Sequence, residues 1–130
     1  RRNDYKDFTV CEQSTLLPMS YYKDQIEWFM QNRKDCFFIF LGDETKFLSE
    51  EFRYVENKII SRNQHFGTDL AIMTQCNSAI LSPSSFSWWG SYMMRERDTV
   101  FAPKFWLGFR SKIEYQAQGV PSYSKEVEIV

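Results

Sequence analysis

Short apolar runs alternate with segments whose apolar residues fall at helical spacing, and few folds accommodate that order. The runs are "CFFIFL" at 36–41, "NKIIS" at 57–61, "SAILS" at 78–82 and "TVFAP" at 99–103. The first is continuously apolar and closes on Gly42-Asp43, as expected of a strand buried on both faces; the second is weaker. Before it, Tyr22, Ile26, Phe29 and Met30 predict a helix over about 20–33, with Ser20 available as N-cap and Asp24 in the first turn. Phe47, Leu48 and Phe52 give the inner face of a helix near 44–53. After a polar loop at "RNQHFG", Thr68 or Asp69 starts a helix that turns Leu70, Ile72, Met73 and Cys76 inward, and Ser84 or Ser85 caps one through "FSWWGSYMMR". Residues 1–19 read as loop, and 103–125 as an aromatic tail without a period. Strand and helix in alternation at this spacing imply βαβ crossovers, hence the doubly wound α/β class: one Rossmann-like parallel sheet flanked by helices in a single unit, residues 1–130.

A chain of 130 residues supports one domain with a true core. With 43% hydrophobic and 25% charged residues it is a globular sequence, and a formal net charge of −1 offers no global field to attract nucleic acid or an anionic membrane. An anionic ligand must therefore be held by local groups. Cys11, Cys36 and Cys76 form no C-x-x-C pair and no zinc-ligand pattern with the single histidine, His65, which reads as an exposed loop residue. Cys36 and Cys76 read as small core residues. No apolar run reaches the ~18 residues of a membrane span.

The stretch "ILSPSSFSWWGSYM" at 80–93 places serines where a strand gives way to a helix. In open parallel sheets ligands bind beyond the carboxyl ends of the strands. Ser84 and Ser85 hydroxyls and the free N–H groups of the helix start suit a phosphate or diphosphate there. The plainer alternative is that one serine caps the helix and the others fill a turn. Neither G-x-x-x-x-G-K-[ST] nor G-x-G-x-x-G occurs, which disfavours a P-loop kinase and an ordinary dinucleotide dehydrogenase. Trp88 and Trp89 read as core, with Gly90 as a close-packing position. Arg1 and Arg2 are either a solvated terminus or a phosphate clamp of suitable shape. Asp69, at a helix start, is a two-point acceptor for a purine bearing an N1–H and a 2-amino group.

"RRNDY", "YYKDQIEWF", "FFIFLGDE", "TDLAIMTQCNSAILSPSSFSWWGSYM" and "VFAPKFW", in that order, resemble the carboxyl-terminal half of the α-1,2-fucosyltransferases of glycosyltransferase family 11, over residues 1 to about 107. The resemblance implies the carboxyl-terminal Rossmann-like half of a GT-B-type enzyme that binds GDP-β-L-fucose without a metal ion. It also implies transfer of fucose, with inversion, to the 2-hydroxyl of a galactose-terminated acceptor. "RRND" matches the end of the H-x-R-R-x-D element of related fucosyltransferases. By that match Arg1 binds the β-phosphate with Arg2 in support, Asp69 reads guanine, and Ser84, Ser85 and the Phe86 backbone N–H hold the diphosphate. Asp4 is the candidate catalytic base, with Asp7 and Glu12 as alternatives and the rest of the enzyme as a further source.

The resemblance further implies that the leading strand and the acceptor-side domain lie outside this chain, together with any membrane anchor. Animal relatives are type II Golgi proteins with a lumenal catalytic part; bacterial ones are cytoplasmic or membrane-peripheral. An oxidising lumen would permit a disulfide among the three cysteines. Pro83 departs from the flexible residue expected before the serines. The competing expectations are a non-catalytic sugar-nucleotide-binding relative, and an interaction domain whose aromatic tail binds a protein.

Overall fold

The computed structural model describes residues 5–62, 65–114 and 119–130. Arg1, Arg2 and Asp4 lie outside the described residues. The element order is a hairpin of β1 (Thr9–Val10) and β2 (Gln13–Ser14), then α1 (Met19–Asn32), β3 (Phe38–Phe40), α2 (Thr45–Glu51), β4 (Lys58–Ile60) and α3 (Phe66–Gln75). β5 (Ser78–Ile80), α4 (Ser85–Tyr92), β6 (Thr99–Pro103), a 3-10 turn (Trp106–Gly108) and β7 (Lys125–Val127) complete it. The alternation read from the sequence is present, and the strands of the α/β layer pair in parallel.

The single contiguous sheet is not. β3 pairs with β4, β5 with β6 and β6 with β7, and no ladder joins β3 to β5 among the described residues. The expectation that the 36–41 run is buried on both faces is corrected accordingly: β3 is only half-buried, and Ile39 is 37% exposed. Among the described residues β3 has a strand neighbour on one side only, whereas β6, flanked on both sides, is buried along its whole length.

Helices cover both faces of this broken sheet. On one, Ile26 of α1 clusters with Phe52 and Val55, against Phe38, Phe40 and Ile80. On the other, Met73 of α3, Leu81, Met94, Val100 and Ala102 form a second cluster. Side chains alternate across the sheet, so one strand serves both clusters. Tyr21 ties α1 to the β5–β6 pair by donating its hydroxyl to the Leu81 carbonyl at 3.0 Å. Burial, and secondarily Tyr22, hold that phenol protonated well above the usual tyrosine range.

Several local expectations shift. α1 starts at Met19 after Pro18, whose fixed φ suits the residue before a helix, so Ser20 lies inside the first turn and Asp24 beyond it. Met30 is exposed, and the buried positions are Tyr21, Gln25, Ile26 and Phe29. α3 starts at Phe66 because the His65 ring, by accepting from Gly67 N–H at 3.2 Å, makes His65 the cap rather than a plain loop residue. Residues 1–19 contain the β1–β2 hairpin, and the tail supplies the 3-10 turn and β7.

On α4 Ser87, Gly90 and Ser91 are the buried positions. A Cβ on Gly90 would lie 2.5 Å from Met73 Sδ, so glycine lets α3 and α4 close. That contact turns Trp89 outward to 53% exposure and leaves Trp88 half-buried, which corrects the core assignment of Trp89. Cys36 and Cys76 are half-buried rather than core, Cys11 is exposed, and all three are free. Burial raises the Cys76 thiol pKa.

Candidate functional site

The carboxyl ends of β3, β4 and β5 face one edge of the molecule, and the starts of α3 and α4 rise from it. The sequence dictates this edge twice. "SPSS" breaks β5 with a proline and then offers a cap, and His65 stops the loop after β4 with a ring nitrogen that serves as a cap.

At the start of α4 the serines divide the work. Ser84 is the N-cap and is 6% exposed; its Oγ accepts from Ser87 N–H at 3.2 Å. Ser87 Oγ donates to the Ser82 carbonyl at 2.5 Å, and Ser82 Oγ is hydrogen-bonded to the Tyr22 hydroxyl at 2.7 Å. The cap and turn alternative therefore describes Ser82, Ser84 and Ser87. Ser85 is different: it is exposed at the first helical position. Helix geometry leaves the N–H groups of Ser85 and Phe86 without an intrahelical acceptor, at the positive end of the helix dipole.

Asp69 stands in the first turn of α3, half-buried. Ser61, the residue after β4, donates its hydroxyl to Asp69 Oδ1 at 2.5 Å. Ser61 is itself held by its N–H donating to the Phe40 carbonyl at 2.9 Å. The β3–β4 pair thus fixes where this carboxylate points.

A cavity of about 290 Å³ lies between the two helix starts, with Asp69, Ser84, Phe86, Ser82, Asp43 and Phe66 in its wall. The structure therefore brings Asp69, Ser84 and Phe86 together and places Ser85 on the exposed turn beside them. Phe66, largely exposed, offers an apolar face next to Asp69. Of the alternative bases, Asp7 and Glu12 are both exposed and neither lines this cavity. Among the described residues no three His, Cys, Asp or Glu side chains gather to hold a metal ion.

Ser61, Asp43 and Phe66 escaped the sequence reading. Ser61 directly follows β4 and Asp43 lies in the loop just after β3, and the rule that ligands sit beyond the carboxyl ends of parallel strands points to both. Phe66 carries no such signal, because its position depends on α3 starting earlier than its spacing suggests.

The model of glycosyl transferase family 11 matches residues 1–120. This chain belongs to glycosyl transferase family 11. An O-antigen biosynthesis glycosyltransferase, WbnK, of Escherichia coli is 26% identical to this family 11 chain over 101 residues, covering 75% of it and 33% of WbnK. The galactoside alpha-(1,2)-fucosyltransferase 1 of Mus musculus is 28% identical over 112 residues, covering 82% of this chain and 29% of the mouse protein. The Rattus norvegicus protein of the same name is 27% identical over 112 residues, 82% of this chain and 30% of that one. The chain spans about a third of the length of these curated relatives. No solved structure matches it. Among the described residues no helix is long and apolar enough to cross a membrane.

Proposed function

We propose that this chain is the donor-binding part of an inverting α-1,2-fucosyltransferase, the carboxyl-terminal half of a GT-B-type enzyme, that takes fucose from GDP-β-L-fucose to the 2-hydroxyl of a galactose-terminated glycan. One observation carries the reading. In a family 11 chain, a carboxylate fixed by a strand-end serine and the open N-terminus of α4 face the same cavity at the carboxyl edge of the sheet.

Asp69 has the chemistry to accept the N1–H and 2-amino protons of guanine together, which adenine does not present in that order. Phe66 beside it suits the flat face of a base. The Ser85 hydroxyl and the N–H groups of Ser85 and Phe86 suit the diphosphate, and Ser84 supports them by holding the helix start in place. A cavity of about 290 Å³ is at the small end of ligand pockets, roughly 300–1,000 Å³, so a nucleotide fills it and extends past the exposed Ser85 turn.

The reaction places charge where these groups are. As the bond from fucosyl C1 to the diphosphate oxygen breaks, its electron pair passes to GDP, and an aligned helix N-terminus stabilises the added charge without a metal ion. Arg1 and Arg2 belong to the same proposal as phosphate ligands, and Asp4 as the base that takes the proton of the attacking hydroxyl. A Golgi location, with the anchor outside this chain, belongs to it as well.

The test is a transfer assay with the full-length polypeptide, GDP-fucose and a galactose-terminated acceptor in the presence of EDTA. An α-linked 2-O-fucosyl product is expected. A folded protein that binds a guanine nucleotide but transfers nothing would replace this reading with the non-catalytic one.

A further inference from the structure

Phe66 stands in the cavity wall with Asp69, yet little of its own packing holds it there. It is 70% exposed, and among the described residues its one ring contact is with His65. The two rings stack, with centroids 5.1 Å apart and planes inclined by 13°. Phe66 and Asp69 lie three residues apart in α3, so they share one face of the helix. An exposed aromatic ring otherwise changes rotamer within nanoseconds. Platform and carboxylate therefore meet the cavity together only while the Phe66 ring keeps one orientation.

His65 is itself fixed from two sides. Its Nδ1 accepts from Gly67 N–H at 3.2 Å, and its carbonyl accepts from Thr68 N–H at 3.1 Å. The first bond sets the direction of the imidazole, and a neutral ring that accepts at Nδ1 carries its proton on Nε2. Gly67 makes room for it: a Cβ there would lie 3.0 Å from His65 Cε1 and 3.1 Å from His65 Nδ1. No described glycine has a positive φ, so what glycine supplies at 67 is space for the ring.

For starting a helix alone, both residue types are poor choices. Ser, Thr, Asp and Asn are the favoured caps and take less room, and glycine weakens a helix relative to alanine. What this pair adds is a flat ring laid against Phe66. A side chain that is ordered before the ligand arrives loses less freedom on binding, and the affinity rises by that amount. His65 does not line the cavity, so any effect it has on a ligand there passes through Phe66 or the helix start.

We propose that His65 is a positioning residue for the donor nucleotide: anchored on Gly67 N–H, its ring presets Phe66 to stack on the base whose edge Asp69 reads. The proposal rests on the reading of this cavity as a guanine-nucleotide site, and it adds the residue that orients the stacking platform. His65 touches neither base nor phosphate. The dependence runs from Gly67 to His65 to Phe66, and only the last of these meets the ligand.

Calorimetric titration of GDP into the full-length protein and into its His65→Asn, Phe66→Ala and doubly substituted variants tests it, with a thermal melt of each. His65→Asn keeps an acceptor at the cap and removes the ring. Phe66→Ala is expected to weaken GDP binding about tenfold or more, the usual worth of an aromatic stacked on a base. His65→Asn should weaken it roughly two- to tenfold with no fall in melting temperature. In the Phe66→Ala background the same change should alter affinity by less than about twofold, because the ring it positions is gone. Wild-type affinity in His65→Asn, while Phe66→Ala binds weakly, would overturn the proposal alone and leave His65 a helix cap. An equal loss in both backgrounds would overturn it too. Unchanged affinity in Phe66→Ala, or no GDP binding by the folded wild-type protein, would overturn the proposal together with the base-stacking reading it rests on.

Discussion

Ser84 and Ser85 are adjacent, identical in type and opposite in role. Ser84 is buried and its hydroxyl is committed to Ser87 N–H, whereas Ser85 is exposed beside the cavity. Ser84→Ala is expected to cost about 1 kcal/mol of stability, the usual loss for an N-cap. Ser85→Ala should leave the melting temperature unchanged and weaken GDP binding by about 1–2 kcal/mol, roughly five- to thirtyfold. Thermal melts and titrations of the two variants separate these outcomes. Equal effects on both properties would remove the distinction. At this scale the sequence exposed Asp69 and the serine cluster, because helix starts favour those residue types. It left open which serine is the cap, since that depends on φ and ψ at one residue. It hid Ser61, whose bond to Asp69 joins the end of one strand to the next helix.

The elements themselves were legible wherever their signal is local. Helix spacing and apolar runs located α1 to α4 and β3 to β6 to within a few residues, because each buries a face that its own side chains define. β7 was not legible. "KEV" is short and largely polar, and it is a strand only because it pairs in register with Phe101, Ala102 and Pro103 of β6. The α3–α4 contact illustrates the middle case. Gly90 was readable as a packing glycine, but its partner Met73 was not. Gly90→Ala would set its new Cβ 2.5 Å from Met73 Sδ and 3.1 Å from Met73 Cβ. The flexible sulfur end can yield and the Cβ cannot, so a net loss of about 1–2 kcal/mol is expected after the gain in helix propensity. Combining Gly90→Ala with Met73→Ala should cost less than the sum of the single changes. Denaturant melts of the four proteins measure this, and strict additivity would show that the two side chains do not meet.

For the whole molecule, alternation established the α/β class and said nothing of which strands touch. Local pattern cannot distinguish a continuous sheet from one opened at its centre, because "CFFIFL" is apolar in either case. The half-exposure of Ile39 distinguishes them. The same break bears on function, since Asp69 is positioned through Ser61 and β4 on one side of it and the α4 start through β5 on the other. The proposed donor site is therefore expected to depend on both pieces of sheet being held together.

On the proposed reading, this edge recognises a guanine diphosphate through Asp69 and the start of α4. Calorimetric titration of the full-length protein with GDP, and with ADP and UDP as controls, in EDTA, tests it most directly, alongside an Asp69→Asn variant. Selective GDP binding is expected, with a loss in the variant of about tenfold or more, since one side of the two-point acceptor becomes a donor. GDP binding no tighter than ADP binding by a folded protein, or a variant that keeps the selectivity, would contradict it.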